Sequence, residues 1–323
     1  MLVKLVVTIP AYNEENTVAN VIAEIPRQIE GIDSVEVLLI DDGSDDETVA
    51  RAQEAGADNI RSHKRNEGLG VTFKHGLETA LEMGADIIVN IDADGQYNAK
   101  EIPALIQPLL DDKADIVLGW RNIDLLSFMP RGKRVGNKVA TWLTNKVSGL
   151  PIRDAQSGFR AFSQEAALRM HLSGRYTYVQ QTIMEAKYKG LKIEQIPIEF
   201  RPRYGESRLI TSLTTYARRA GATILATYWG YHPLKVFLLI GIFLIFIGIV
   251  FGAIALFHFV QDGTISGHTP SAIAAAVLLI AGLQAIFLGL FADIIKSQRI
   301  FQEEILYRLK RRDQPTNGPD STS

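Results

Sequence analysis

The chain has 323 residues, with 34 lysines and arginines against 36 aspartates and glutamates, for a net charge of −2. A balance this close to neutral provides no global basic field and argues against nucleic acid as a partner. Cysteine is absent, which excludes disulfides and thiolate metal sites.

The opening stretch MLVKLVVTIPAYNEEN has too short an apolar run for a signal peptide, and acidic residues follow directly. It reads as the first strand, over residues 3–9, of a cytosolic α/β domain. From there to about residue 120 strands and helices alternate. A helical pattern over 16–29 precedes a strand over 35–40 that runs into DDGS. A helix over 47–55, a short strand over 59–62, a helix over 71–83 and an apolar run over 87–91 come next. A helix from about Lys100 and a strand over 116–118 complete the series. Such alternation predicts a mostly parallel sheet, whose ligands bind beyond the carboxyl ends of the strands.

The stretch NIDADGQYNAKE, residues 90–101, nearly spells a calcium loop, with Asp92, Asp94, Gly95 and Glu101 at the expected spacing. A calcium hand needs an amphipathic helix directly before the loop, and ADIIVNI is instead a β-rich apolar run. Asp92 and Asp94 are therefore expected at the carboxyl end of a central strand. PAYNEE, DDGS and NEGLG occupy the same kind of place after the first, second and third strands. Alone, each is an ordinary turn or helix cap. A dinucleotide-binding fold is disfavoured, because its glycine fingerprint should follow the first strand, where this chain has Pro10 and Tyr12.

The carboxy-terminal third differs in kind. Residues 234–260 carry one charge, Lys235, at their start, and residues 272–295 carry one, Asp293, near their end. Both runs exceed the roughly 20 apolar residues that span a bilayer and predict two transmembrane helices. The loop between them lacks Lys and Arg, whereas Lys235, Lys296, Arg299, Arg308, Lys310, Arg311 and Arg312 flank the spans. The positive-inside rule then puts the loop outside and both chain ends in the cytosol. Ahead of the first span, Leu209, Leu213, Tyr216, Ala220 and Ile224 recur at helical spacing within 207–231, with Arg208, Arg218 and Arg219 elsewhere on the turn. This pattern suits a helix lying in the membrane interface, and equally a helix packed on the soluble domain. Gly241, Gly248, Gly252, Gly282 and Gly289 on the spans offer small faces that suit packing between protomers, so a homo-oligomer is an open expectation. His63, His75, His171, His232, His258 and His268 show no ligand spacing, which argues against zinc.

Taken in order, PAYNEE, IDDGSDD, NEGLG, NIDADGQ and DAQSGFRAF resemble glycosyltransferase family 2, of the Rossmann-like GT-A fold, from residue 3 to about 208. With the spans behind it, the order of parts is similar to the polyprenyl-phosphate glycosyltransferases of the dolichol-phosphate mannose synthase type. The expected division is a GT-A domain over 1–206, interface helices over 207–231, a two-helix membrane region over 232–297, and a cytosolic helix with a polar, disordered tail over 298–323.

The resemblance implies transfer of a monosaccharide, with inversion, from a nucleotide sugar to a polyprenyl (dolichyl) phosphate at the cytosolic membrane face. GDP-mannose is the first expectation for the donor; UDP-glucose or UDP-N-acetylglucosamine is the alternative. It carries Pro10, Tyr12, Glu14, Asp41, Asp42 and Asp92 to the donor nucleotide, and Asp94, Gln96, Arg121 and Asp154 to the catalytic centre. Asp92 and Asp94 offer two hard oxygen ligands suited to Mg²⁺ or Mn²⁺ on a diphosphate. A phosphomonoester acceptor is mostly dianionic at neutral pH and is already a nucleophile, so it needs positioning more than a general base. Arg131, Lys133, Arg134 and Asn137 in PRGKRVGNK, and Arg201, Arg203 and Arg208 in EFRPRYGESR, are the candidates for its phosphate; the first cluster is otherwise a solvated loop that meets anionic headgroups. Asp154 is either a base or the partner of an arginine such as Arg160. Two rivals stand outside this expectation. A processive polysaccharide exporter is disfavoured by having only two spans and no Gln-x-x-Arg-Trp run. A decayed, non-catalytic membrane anchor is disfavoured by the intact Asp-x-Asp and would be recognised by the absence of turnover.

Overall fold

The computed structural model describes residues 2–172, 178–203, 228–263 and 267–312. Two compact units divide the chain, one of Met1–Leu225 with Leu306–Ser323 and the other of Ala226–Ile305.

The first unit is built on a seven-stranded sheet: β1 (Lys4–Ala11), β2 (Ser34–Asp41), β3 (Asn59–Ser62), β4 (Ile87–Asn90), β5 (Ile116–Arg121), β6 (Arg160–Ser163) and β7 (Ile193–Ile198). Its spatial order is β3-β2-β1-β4-β6-β5-β7. β1 pairs in parallel with β2 and β4, β2 with β3, and β5 with β7, whereas β6 runs antiparallel to both β4 and β5. Strands covered on both faces read as continuous apolar runs, and from Leu5 onward β1 is buried at every position. One core face holds Ile22, Leu39, Leu105 and Phe159; the other holds Phe73, Leu81, Leu168 and Tyr178.

Between the strands lie α1 (Val18–Glu24), α2 (Thr48–Glu54), α3 (Leu69–Glu82), α4 (Ile102–Leu110), α5 (Arg131–Ser148), α6 (Gln164–Arg169) and α7 (Val179–Tyr188). The helix expected over 16–29 stops at Glu24. Ile25 is extended, as the residue before Pro26 must be to avoid its ring. The expected strand over 116–118 instead continues to Arg121, which brings that side chain to the carboxyl edge. The antiparallel β6 was not anticipated. It pairs Arg160 with Asn90 and so lays the DAQSGF segment beside the Asp92 loop.

In the second unit α8 (Pro233–Asp262) is followed by α9, a single helix over Thr269–Arg312 whose last turns belong to the first unit. Both are long and apolar enough to cross a membrane. A Cβ on Gly241 would lie 2.7 Å from the Gly282 carbonyl oxygen, and one on Gly282 would lie 2.8 Å from the Gly241 oxygen. Gly248 faces Leu279, Gly252 faces Ala275 and Gly289 faces Phe237 in the same way. These glycines are therefore used inside the hairpin of one chain, where small residues let two helix backbones approach. The interface helix expected over 207–231 lies outside the described residues up to position 227, as do Arg208, Arg218 and Arg219. The expected tail beyond 312 also lies outside them.

Candidate active site

Asp92 and Asp94 follow the carboxyl end of β4, as the strand pattern requires. Gly95 adopts φ +71°, which folds the chain back so that the Gln96 N–H donates to Asp94 Oδ1 at 3.1 Å. Gln96 also grips the segment after β7. Its side chain donates to the Arg201 carbonyl at 3.1 Å, and its own carbonyl accepts the Arg201 N–H at 2.8 Å. A Cβ on Gly158 would sit 2.8 Å from Asp92 Oδ2 and 2.9 Å from Oδ1, so only glycine leaves room for this carboxylate. Asp92 Oδ1 is sealed from solvent without a hydrogen-bond partner among the described residues. Burial and then the Asp94 charge push the Asp92 carboxyl up to about 7. Burial also raises Asp94, against the pull of Arg203.

A second carboxylate on this edge is treated in the opposite way. Asp154 is fully buried and accepts from Arg121 Nε at 2.6 Å, Arg121 Nη2 at 3.1 Å and the Arg121 N–H at 3.3 Å. Asn137 Nδ2 at 3.2 Å and the Gln156 N–H at 3.0 Å complete its shell. Burial alone would raise its pKa, but Arg121 and these donors outweigh burial and hold the carboxyl below its usual range. Its arginine partner is thus Arg121, not Arg160. The Arg121 guanidinium also lies 4.7 Å from the centre of the Phe200 ring, close enough for a cation–π contact.

Arg160 is wholly buried, with no carboxylate in its hydrogen-bond shell among the described residues. It donates to the carbonyls of Ser157 (2.8 Å), Val179 (2.7 Å) and Ala155 (3.3 Å) and to the Thr182 hydroxyl. Burial lowers it to about 10. It pins the DAQSGF segment to α7. Tyr97 helps from the other side: its hydroxyl accepts the Gly158 N–H at 2.9 Å, and burial raises its pKa to about 12.

On the donor side, Pro10 sits in β1 opposite Ile40, and Ala11 pairs with Asp41, which places PAYNEE beside DDGS. The loops are tied together: the Asn13 N–H donates to Ser44 Oγ and the Asp45 N–H to Asn13 Oδ1, both at 2.8 Å. Tyr12 is half-buried at the rim of this pair of loops. Asp41 Oδ1 accepts the Ser44 N–H at 3.1 Å. Both oxygens of Asp42 are already used: Oδ1 takes the Glu67 N–H (2.9 Å) and pairs with His63 (2.8 Å), and Oδ2 takes the Gly68 N–H (2.9 Å). Among the described residues the only side-chain hydrogen bond that Asp41 accepts is the one from Ser44, while Asp42 anchors NEGLG. Sequence reading missed the relay beyond it, in which His63 Nε2 lies 2.9 Å from His75 Nδ1 with the rings stacked.

The expected acceptor residues divide. Asn137 lies in the Asp154 shell. Arg203 reaches the centre, with Nη1 3.4 Å from Asp94 Oδ2 and Nη2 bonded to Glu14. Arg134 donates to the Leu126 carbonyl at 2.7 Å, holding the loop before α5. Arg201 pairs with Glu24 at 2.9 Å, away from Asp94, and Arg131 and Lys133 are exposed.

Among the described residues no group of three or more His, Asp or Glu converges as a metal cluster. The donor set still fits a hard divalent cation. Mg²⁺-type ions use one or two carboxylates plus substrate phosphates and water rather than an all-protein cage. A buried Asp92 oxygen with no partner among the described residues, beside Asp94, is such a pair, and burial with the Asp94 charge raises its pKa against the pull of Arg121 and Arg203.

Residues 6–169 match the glycosyl transferase family 2 profile, and residues 212–296 match the glycosyltransferase family 2 C-terminal transmembrane region. The chain is 34% identical over 212 residues to the UDP-N-acetylglucosamine–dolichyl-phosphate N-acetylglucosaminyltransferase of Methanococcus voltae, covering 59% of this chain and 83% of the relative. It is 28% identical over 211 residues to the polyprenol monophosphomannose synthase of Mycolicibacterium smegmatis, covering 62% and 78%. Among solved structures it resembles glucosyl-3-phosphoglycerate synthase of Mycobacterium tuberculosis, in complex with Mn²⁺, UDP and glucosyl-3-phosphoglycerate. That match has a TM-score of 0.57 at 23% identity and covers 69% of this chain and 79% of the other; it establishes the GT-A fold. The chain is a membrane protein of glycosyl transferase family 2, carrying that family's catalytic domain and its carboxy-terminal transmembrane region.

Proposed function

We propose that this hexosyltransferase moves one sugar, with inversion, from a nucleotide sugar to a polyprenyl phosphate. Its catalytic domain, over residues 1–206, would work on the cytosolic face, with both termini cytosolic and the loop over 261–270 outside. The observation that carries the reading is the buried Asp92 oxygen left without a hydrogen bond among the described residues, next to Asp94, beside the saturated Asp154–Arg121 pair. A donor diphosphate brings the charge that the first pair needs a cation to share, and the second pair supplies a fixed guanidinium. The relatives' names support the acceptor class, and the basic flanks of the spans support the orientation.

The residues divide the work as follows. Asp41 and Tyr12 meet the nucleoside, with Pro10 shaping the floor of that pocket. Asp92 and Asp94 would hold Mg²⁺ or Mn²⁺, whose Lewis acidity would stabilise the departing diphosphate. Gln96 keeps the Asp94 loop against residue 201. An acceptor phosphate oxygen attacks the anomeric carbon, the carbon–oxygen bond to the nucleoside diphosphate breaks, and one displacement inverts the centre. The dianionic acceptor has no proton to surrender, so no base is required. Asp154, saturated and held ionised, is a positioning residue that aims Arg121 and Asn137. Arg203, paired with Glu14 and Asp94, places a cation at the Asp94 carboxylate, where it would meet the substrates' phosphates, and Arg134 holds the loop before α5 that the acceptor would pass.

GDP-mannose is the proposed donor. UDP-N-acetylglucosamine is the second reading, favoured by the Methanococcus voltae relative. The test is incubation with labelled GDP-mannose, UDP-glucose and UDP-N-acetylglucosamine, each with polyprenyl phosphate and Mg²⁺ or Mn²⁺. One donor should give a labelled lipid that is lost with chelator. Failure of all three donors to label lipid would refute the acceptor assignment, and full labelling in chelator would refute the metal.

A further inference from the structure

Helix α5 is built inside out. Its buried side carries Asn137, Ala140, Thr141, Thr144 and Ser148, while Val135, Val139 and Trp142 face outward, 60%, 55% and 64% exposed. A surface helix ordinarily places its apolar stripe on the core and its polar residues in water. The inward polar residues are used: Asn137 donates to Asp154, and Thr141 Oγ1 accepts the Ala155 N–H at 3.1 Å. The outward spacing, i, i+4 and i+7, is one continuous helical stripe. Leu125, 77% exposed, lies in the turn next to it, tied on by a 2.6 Å pair between Lys138 and Asp124.

The charge around the stripe points to one occupant. Arg131–Ser148 holds five cations and no anion in a chain whose net charge is −2. Arg131 and Lys146 lie one turn beyond each end of the stripe, at i−4 and i+4. Apolar residues with a tryptophan, rimmed by lysine and arginine, suit an anionic membrane surface, and this chain carries two helices able to cross a membrane. We propose that the outer face of α5 is a membrane-docking surface of the catalytic domain, inserted at the level of anionic headgroups. Because Asn137 lies on the opposite side of the same helix and touches Asp154, docking would hold the active site against the bilayer.

The native chain has no cysteine, so single-cysteine variants need no background removal. Val139→Cys, Trp142→Cys and, as a control, Glu54→Cys, which is 72% exposed on α2, are labelled with an environment-sensitive fluorophore. The full-length protein is placed in vesicles of phosphatidylcholine and phosphatidylglycerol. Lipids quenching high on the acyl chain should quench labels at 139 and 142, because an interfacial helix buries its apolar face about 5–10 Å deep. They should spare the label at 54. Labels at 139 and 142 reached only by a water-soluble quencher would show a solvated face and overturn the proposal. Labels reached by neither quencher would show cover by protein, either a second copy or residues 204–227, and would overturn it equally. Spin labels at 139 would identify the second copy by dipolar broadening.

Discussion

The two buried carboxylate centres on the carboxyl edge of the sheet face opposite electrostatic conditions. Asp154 has five donors, a guanidinium among them, and its pKa is lowered. Asp92 has an oxygen sealed from solvent without a partner among the described residues, an adjacent like charge in Asp94, and a raised pKa. Burying a charge is costly unless it is compensated. The first centre is compensated by hydrogen bonds within the chain, whereas burial outweighs the neighbouring arginines at the second, which we propose is completed by a cation that arrives with the substrate.

Four variants or conditions would break or sharpen that contrast. The largest effect is expected at the Asp92 centre. Asp92→Asn should cut transfer by about 10³-fold or more, while raising the thermal midpoint of the metal-free protein. The second effect follows because the folded Asp92 pKa lies above its unfolded value. The metal-free fold binds the proton better than the unfolded chain, so its stability falls as pH rises from about 4 to about 7 and then levels. Asparagine removes that loss. A lower midpoint at pH 8 would argue against the strain.

At the Asp154 centre, Asp154→Asn leaves Arg121 buried and unpaired and should cost about 3–5 kcal/mol of stability, read from the shift in unfolding. Turnover should fall without loss of a limb from its pH profile, since no base has been removed. Loss of a limb would make Asp154 the base.

The third effect is on pH. A proton on Asp92 competes with the cation, so Mn²⁺ affinity should weaken by about tenfold per pH unit below about 7 and be flat above it. A flat titration down to pH 5 would place the cation elsewhere. The smallest effect is at Asn137→Ala, which removes one of the donors to Asp154. It should cost about 1–2 kcal/mol in stability and leave metal affinity unchanged.

The sequence exposed the parts of this site that are local. Strand runs followed by PAYNEE, DDGS, NEGLG and NIDADGQ are short-range patterns, and the fold places them where an α/β sheet puts its ligands. The hydropathy of α8 and α9 is equally local. What stayed hidden depends on long-range pairing. The four residues of β6 carry too little pattern to reveal an antiparallel insertion between β4 and β5. The Arg121–Asp154 pair spans 33 residues, and the match of Gly158 to Asp92 exists only once β6 has paired with β4. Arg160 read as an arginine that Asp154 could orient, because composition does not show that, among the described residues, carbonyls and a hydroxyl rather than a carboxylate take its hydrogen bonds. The glycines of the spans were visible as small residues, but their partner, the other helix of the same chain, was not.

The most direct test is Mn²⁺ binding in the presence of a nucleoside diphosphate, followed by the electron paramagnetic resonance of the free ion, for wild type, Asp92→Asn and Asp154→Asn. The Asp92 centre is predicted to bind and the Asp154 centre only to aim, so wild type and Asp154→Asn should take up the ion while Asp92→Asn does not. Uptake by Asp92→Asn at wild-type affinity, or its loss in a folded Asp154→Asn, would contradict that assignment.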